Sequence, residues 1–83
     1  MAIEKIIREY ILETFLFTND PLALSSSDSF LQKGIIDSTG VLEMIFFLEQ
    51  EFGIKVTDKE LIPENLDSVN NIVRFVQSKK SAA

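Results

Sequence analysis

The middle of the chain reads DSTGVLEMIFFLEQEFG from residue 37 to residue 53, and this segment decides the fold class. Its apolar residues recur every three or four positions, which is the spacing of an amphipathic helix with one buried face. The inward stripe consists of Val41, Met44, Ile45, Leu48 and Phe52. Asp37 is a suitable N-cap, and Gly53 suits the left-handed residue that often ends a helix. The segment therefore predicts a helix that begins at Asp37 or Ser38 and ends at the Phe52-Gly53 pair.

The segment before this helix predicts another helix and a long loop. Apolar residues at helical spacing run from Ile3 to Phe17 and indicate about four amphipathic turns. Residues 18–33 are rich in Asn, Asp, Ser and Pro, which favour turns because they bond the local backbone or restrict φ. Loops of this length are often functional. Four apolar residues are expected to pin the loop to the core, namely Leu22, Leu24, Phe30 and Leu31.

The segment after it predicts one short and one long helix. Thr57 to Glu60 matches a capping box, and Pro63 limits the helix that this box opens. The last helix is expected near Asp67 or Ser68, with an apolar stripe through Val76. No segment alternates like a strand. We therefore predict an all-α, small four-helix bundle with three main helices, one short helix and a long loop after helix 1, as a single domain over residues 1–83.

Composition excludes several classes of function. The chain has 83 residues with no Cys and no His, so it cannot build a disulfide, a thiolate nucleophile, a His-based metal site or a Ser-His-Asp triad alone. The net charge of −5 disfavours nucleic acid and anionic membranes as partners. Residues 37–67 carry eight acids against two lysines, which suits a basic partner surface or a merely solvated face. The N-terminus lacks signal-peptide features, so we expect a cytoplasmic monomer.

Ser38 is the candidate for chemistry. It lies on the first turn of the central helix, where exposed backbone N–H groups favour a nearby phosphate. A serine nucleophile needs an activating base, and none is close in the sequence, so we expect no self-contained catalysis and no enzyme. From the spacing alone, the favoured explanation is that Ser38 caps the helix, because most Asp-Ser pairs before a helix are caps.

The chain resembles the acyl carrier protein family, the phosphopantetheine-binding carrier proteins. The matching pieces, in the family's order, are DSFL at 28–31, GIIDS at 34–38, LEQEFGI at 48–54 and DSV at 67–69, and together they cover nearly the whole chain. The resemblance implies that a phosphopantetheinyl transferase attaches a covalent 4′-phosphopantetheine arm to Ser38. It implies that Asp37 engages this transferase and its magnesium. Thr39 and Gly40 make the pattern similar to stand-alone, aminoacyl and D-alanyl carriers rather than to carriers of central fatty acid synthesis.

In such a carrier the arm holds an acyl or aminoacyl cargo as a thioester, for example in fatty acid or secondary metabolite biosynthesis. Its partners are an acyl- or aminoacyl-activating enzyme and downstream transferases. The predicted partner-binding residues are Thr39, Glu43, Phe46, Phe47, Gln50 and Glu60. Two adjacent phenylalanines cannot share the centre of one buried stripe. One of Phe46 and Phe47 is therefore expected in solvent as a partner anchor, or packed under the long loop or the short helix.

Two other classes of function stay open at this point. The first is a helical protein–protein interaction module without a cofactor, which uses the acidic face of the central helix alone. The second is a small enzyme that uses paired carboxylates, although these residues fall on faces expected to be exposed, where little shifts a pKa. The identity of the cargo, and whether the bundle encloses it, are also left open.

Overall fold

The computed structural model describes residues 2–81, without the side chains of Ala2 and Pro21, and every regular element among them is helical. Three long helices are α1 (Ala2–Thr14), α3 (Ser38–Phe52) and α5 (Val69–Ser81). Two single-turn helices, α2 (Phe30–Lys33) and α4 (Pro63–Leu66), lie between them, together with 3-10 turns at Pro21–Ala23 and Asp58–Glu60. The small helical bundle with three main helices is thus confirmed. The structure adds α2, a second short helix within the predicted loop, while Met1, Ala82 and Ala83 of the predicted domain lie outside the described residues.

The core is apolar and is shared between the long helices and their connections. Its buried members are Ile7, Ile11, Leu12, Leu24, Phe30, Ile36, Met44, Ile45, Leu48, Ile54, Leu66, Val69, Ile72, Val73, Phe75 and Val76. The predicted stripes of α3 and α5 supply much of this set. Val41 and Phe52, at the edges of the α3 stripe, are half-buried against it. Among residues 2–81, no helix combines the length and the apolar character needed to cross a bilayer.

Helix α1 ends three residues earlier than its apolar pattern predicts. Helical geometry stops at Thr14. The N–H of Leu16 then donates to the carbonyl of Ile11, and the N–H of Thr18 donates to that of Leu12. Phe17, between them, takes a left-handed conformation with φ of 54°. The prediction through Phe17 was wrong because apolar spacing continues through the wide turn that ends the helix.

The long loop is ordered by local caps. The Asp20 carboxylate accepts the N–H of Leu22 at 2.9 Å, and the Ser29 hydroxyl accepts the N–H of Gln32 at the start of α2. Of the four apolar residues expected to pin the loop, Leu24 and Phe30 are buried. The other two point outward, since Leu22 is 92% exposed and Leu31 is 56% exposed.

Polar contacts fasten this loop to the bundle. The Arg8 guanidinium of α1 donates to the Ser26 hydroxyl at 2.7 Å and to the Leu24 carbonyl. The Asp67 carboxylate accepts the Ser29 hydroxyl and the N–H of Leu31. These bonds hold α2 beside the junction between α4 and α5.

The predicted capping box is present, but the helix that it opens is shorter than expected. The N–H of Thr57 donates to the Glu60 carboxylate at 2.9 Å. The 3-10 turn there ends at Glu60, and Pro63 starts α4 as its first residue instead of ending an earlier helix. Proline fits this position because the first N–H of a helix has no intrahelical partner. Ser68 then accepts the N–H of Asn71 at 3.1 Å, which confirms the predicted start of α5.

Candidate functional site

Ser38 is the first residue of α3 and is exposed to solvent. The chain reaches it through Gly34, which is left-handed with φ of 66° and ends α2, and through Ile36, which is buried. Asp37 is extended and forms the N-cap, as predicted, with Oδ1 accepting the N–H of Gly40 at 2.7 Å. A buried side chain two residues before Ser38 and a cap one residue before it therefore hold the serine hydroxyl outward at the start of a long helix.

Gly40 determines how closely the turn after α1 approaches α3 at this site. It is buried, and a Cβ atom added to it would lie 2.9 Å from Cε1 of Phe15 and 3.0 Å from Cγ2 of Ile36. Real Cβ atoms essentially never lie closer than 3.0 Å to a neighbour, so a side chain at this position requires the Phe15 ring to move. Gly40, two residues after Ser38, therefore leaves the space that the Phe15 ring occupies. The sequence alone gave no sign of this, because Phe15 is distant along the chain.

The start of α3 has the donors that a phosphodiester needs. The first N–H groups of a helix have no intrahelical acceptor, and they carry the positive end of the helix dipole. Asp37 uses the N–H of Gly40, so the N–H groups of Ser38 and Thr39 remain beside the exposed hydroxyl. A phosphate on the Ser38 oxygen fits this donor set. The chain has no His or Cys to turn the same hydroxyl into a nucleophile.

One face of α3 carries exposed side chains along its length. We call it the α3 face, and it consists of Thr39, Leu42, Glu43, Phe46 and Gln50. Phe46 is 64% exposed and Leu42 is 63% exposed. Four of the predicted partner residues lie together on this face. Leu42 was missed, although its separation of four residues from Phe46 would have placed the two on one face.

Phe47 and Glu60 lie outside the α3 face. The ring of Phe47 stacks on Tyr10 of α1, with centroids 3.8 Å apart and planes 8° from parallel. The phenylalanine pair is thus divided, with Phe46 in solvent and Phe47 packed against α1 rather than under the loop or the short helix. Burial and the negative charge of Glu43 raise the pKa of Tyr10. The Glu60 carboxylate binds Thr57 and the Lys79 ammonium, the latter at 3.0 Å.

A small apolar pocket lies on another side of the α3 start. Its volume is about 120 Å³. Its lining comes from α2, the start of α3 and the α4 region, namely Phe30, Leu31, Ile36, Val41, Leu61, Ile62, Pro63, Leu66 and Asp67. Ile36 and Val41 flank Ser38 in the sequence. The structure therefore places an apolar recess beside the helix turn that presents the serine.

The chain is similar over nearly its full length to known carrier proteins. It is 36% identical over 78 residues to a D-alanyl carrier protein of Streptococcus uberis, an alignment that covers 92% of this chain and 98% of the relative. It is 35% identical over 78 residues to the D-alanyl carrier protein of a Streptococcus pyogenes strain, with the same coverage of both chains. No family model matches the chain.

Proposed function

The chain belongs to the acyl-carrier-like family of carrier proteins, and from that premise we propose that it holds an aminoacyl cargo on a phosphopantetheine arm attached to Ser38. A carrier of this kind is not itself an enzyme. The arm carries the cargo as a thioester, and the protein brings this thioester to the partner enzymes that react with it. The observation that carries the proposal is the exposed Ser38 on the first turn of α3, beside N–H groups for which no acceptor is found among residues 2–81, in a chain aligned with a carrier protein over 92% of its length.

Attachment needs little from the carrier itself. The Ser38 oxygen forms a bond to the phosphate of the arm, the nucleotide part of coenzyme A leaves, and the hydroxyl proton passes to a base of the transferase. The N–H groups of Ser38 and Thr39 then face the phosphodiester and stabilise its charge. The arm supplies the thiol, which accounts for a thioester carrier that contains no Cys.

Asp37 is proposed to have two roles that use different oxygen atoms. Its Oδ1 caps α3. Among residues 2–81, no hydrogen bond is found to Oδ2, and Asp37 is exposed. A magnesium ion held by the transferase accepts such a carboxylate oxygen readily, since Mg²⁺ in proteins commonly keeps several waters and takes one or two carboxylates.

The cargo is proposed to be a small amino acid, with D-alanine as the first candidate. The relatives that share the chain's length are named for the D-alanyl group. The apolar pocket beside the α3 start is small, at about 120 Å³, and a small aminoacyl group makes no demand on it. The proposed supplier is therefore an ATP-dependent amino-acid-activating enzyme, and the α3 face is the proposed contact surface.

Intact mass spectrometry tests attachment. The purified chain is incubated with coenzyme A, magnesium and a broad-specificity phosphopantetheinyl transferase. We expect the mass to rise by one phosphopantetheine group, and we expect Ser38→Ala to abolish the gain. Ser78→Ala is the matched control, because Ser78 is also an exposed serine on a helix. Its gain should equal that of the wild type, while a gain that survives Ser38→Ala contradicts the assignment.

A second experiment tests the cargo. The arm-bearing chain is incubated with ATP, an amino-acid-activating ligase from one of the relatives' species, and D-alanine, L-alanine or octanoate in parallel. Thioester formation with D-alanine alone supports the proposal. Loading by octanoate in preference to either amino acid contradicts it.

An interaction module without a cofactor is the second candidate, and the α3 face is the observation that favours it. Two exposed apolar side chains, Leu42 and Phe46, stand beside the acidic Glu43 without any need for an arm. The mass experiment separates the two functions. A wild-type chain that gains no mass leaves this module as the remaining candidate.

A further inference from the structure

Two large apolar side chains stand almost fully in solvent at the segment between α1 and α2. Phe17 is 86% exposed and Leu22 is 92% exposed. Both values exceed those of Leu42 and Phe46 on the α3 face. The pair lies on a different element from the α3 face, so it needs its own explanation. We call it the loop pair.

The left-handed backbone conformation of Phe17 disfavours any side chain at this position. Among residues 2–81, it is the one non-glycine residue with positive φ, at 54°. At the ends of α2 and α3 the chain uses Gly34 and Gly53 for the same left-handed conformation, with φ of 66° and 65°. Glycine takes this conformation without the clash that a Cβ atom causes. A phenylalanine here is strained and also leaves its ring unburied, so the folded monomer gains nothing from the ring.

The turn that holds Phe17 is packed onto the helix that begins at Ser38. Phe15, two residues earlier, contacts the position of Gly40 so closely that no Cβ fits between them. Its ring also meets Tyr10 edge to face, with centroids 5.8 Å apart. Tyr10 in turn stacks on Phe47 of α3. Phe17 therefore lies two residues after a residue that packs against the start of α3, and Leu22 comes five residues later in the same loop.

The charge around the loop pair specifies the kind of partner. From Glu9 to Gln32 the chain has no Lys or Arg, and it has four acids. Glu9, Glu13 and Asp20 among them are exposed. The Arg8 guanidinium, from α1, is bound to the Leu24 carbonyl and the Ser26 hydroxyl of this loop. Apolar anchors in a segment whose own charges are all acidic fit an apolar socket bordered by Lys and Arg on another protein. A second copy of the chain would bring a second net charge of −5 and repel.

We propose that Phe17 and Leu22 anchor the enzyme that attaches the arm to Ser38, an inference that rests on the proposed function. An enzyme that acts on the cargo meets it at the far end of a flexible arm. The attaching enzyme instead brings its reacting groups to the Ser38 oxygen itself, so its body must cover the surface around the start of α3. Phe17 lies two residues after the Phe15 that packs against that start, Leu22 follows in the same loop, and the exposed acids of this segment draw in a basic enzyme surface.

Binding is measured separately from catalysis to test this anchor. The Ser38→Ala chain, which cannot be modified, is titrated onto an immobilised broad-specificity phosphopantetheinyl transferase. Phe17→Gly and Leu22→Ser are added singly in this background, with Ala23→Ser as the matched control, since Ala23 is exposed beside Leu22. We expect each anchor variant to raise Kd at least about fivefold, the effect of losing an interface anchor. The control should leave Kd unchanged, and Phe17→Gly should not lower Tm, because glycine relieves the left-handed backbone.

The outcomes separate this inference from the proposed function. If the wild-type chain gains the arm but both anchor variants bind within twofold of the Ser38→Ala parent, only the anchor is overturned. If the wild-type chain never gains the arm, both the proposed attachment to Ser38 and the proposed anchoring of the attaching enzyme are contradicted. A lower Tm for Phe17→Gly also contradicts the argument, because it shows that the ring stabilises the monomer.

Discussion

The N–H of Gly40 donates to Oδ1 of Asp37 at 2.7 Å, and this bond joins the cap of α3 to a residue that has no room for a Cβ atom. Asp37 starts the helix, and Gly40 lets Phe15, from the turn after α1, pack against its first turn. The position of Ser38, between the two, therefore depends on a local cap and on a tertiary contact together.

Gly40→Ala should destabilise the fold although alanine is the better helix former. The added Cβ meets Phe15 at 2.9 Å and Ile36 at 3.0 Å. Overpacking costs about 1–3 kcal/mol. Helix propensity offsets about 1 kcal/mol of that. Urea denaturation should show a lower free energy of unfolding, with the exposed Thr39→Ala as a control within about 0.5 kcal/mol of wild type. A variant as stable as wild type would mean that α1 and α3 separate freely here.

Asp37 variants should separate the cap from the proposed magnesium contact. Asp37→Ala loses the bond to Gly40 and should cost about 1 kcal/mol of unfolding free energy. Asp37→Asn keeps a side-chain oxygen at the N-cap and should be nearly as stable as wild type. Both variants lack the carboxylate, so both should slow attachment of the arm in a time course of intact masses. Attachment to Asp37→Asn at the wild-type rate would leave Asp37 with the capping role alone.

The adjacent phenylalanines should respond in opposite ways. Phe47→Ala removes a half-buried ring stacked on Tyr10 and should lower the unfolding free energy by about 2 kcal/mol, less than the 3–5 kcal/mol of a fully buried ring. Phe46→Ala removes an exposed ring and should change stability by less than about 0.5 kcal/mol. Transfer of cargo from an activating enzyme to the arm should instead weaken with Phe46→Ala. Equal losses of stability in the two variants would contradict the division of the pair.

Acid should weaken the contact between Glu60 and α5. Hydrogen bonds from the N–H of Thr57 and from the Lys79 ammonium lower the pKa of Glu60 below its ordinary value of 4.5. The folded state thus favours the ionised form. The stabilisation is complete above the unfolded pKa, near 4.5, and is lost as the pH falls through the lower pKa of the folded state. Tm measured between pH 6 and pH 3 should fall.

Glu60→Gln should flatten this acid dependence of Tm, because glutamine does not titrate. The exposed Glu51→Gln is the matched control and should keep the wild-type slope. Equal slopes for Glu60→Gln and wild type would show that the contact with Lys79 adds nothing to stability in solution.

Features that depend on neighbouring residues were predictable from the sequence. The start and end of α3 follow from a capping side chain and a glycine that takes φ of 65°, and the capping box at Thr57 works within four residues. The position of Ser38 on the first turn of α3 follows from the same local rules. The family and the carrier function were predictable because the short motifs cover nearly the whole chain, and the similarity to D-alanyl carrier proteins at 35–36% identity confirms both.

Other features depend on which segments meet, and no local pattern contains that information. The spacing of apolar residues does not predict which phenylalanine is packed: Phe47 stacks on Tyr10, whereas Phe46 faces solvent. It also does not tell that α1 ends at Thr14 and turns through a left-handed Phe17, because Phe15 and Leu16 continue its apolar run. The sequence predicts Glu60 as one of the acidic residues of a partner surface. In the structure the Lys79 ammonium lies 3.0 Å from its carboxylate, a contact that no local pattern indicates.

The sequence by itself determined that a serine stands at the start of an amphipathic helix in a chain without His or Cys. Hydrogen bonds within four residues set the helix start, and composition alone excludes a self-contained serine nucleophile. Only the tertiary structure decided which surfaces surround that serine. The contact of Phe15 with Gly40 brings the turn after α1, which includes the exposed Phe17, to the start of α3. Residues 25 positions apart meet there because burying apolar side chains outweighs the local preferences of the chain between them.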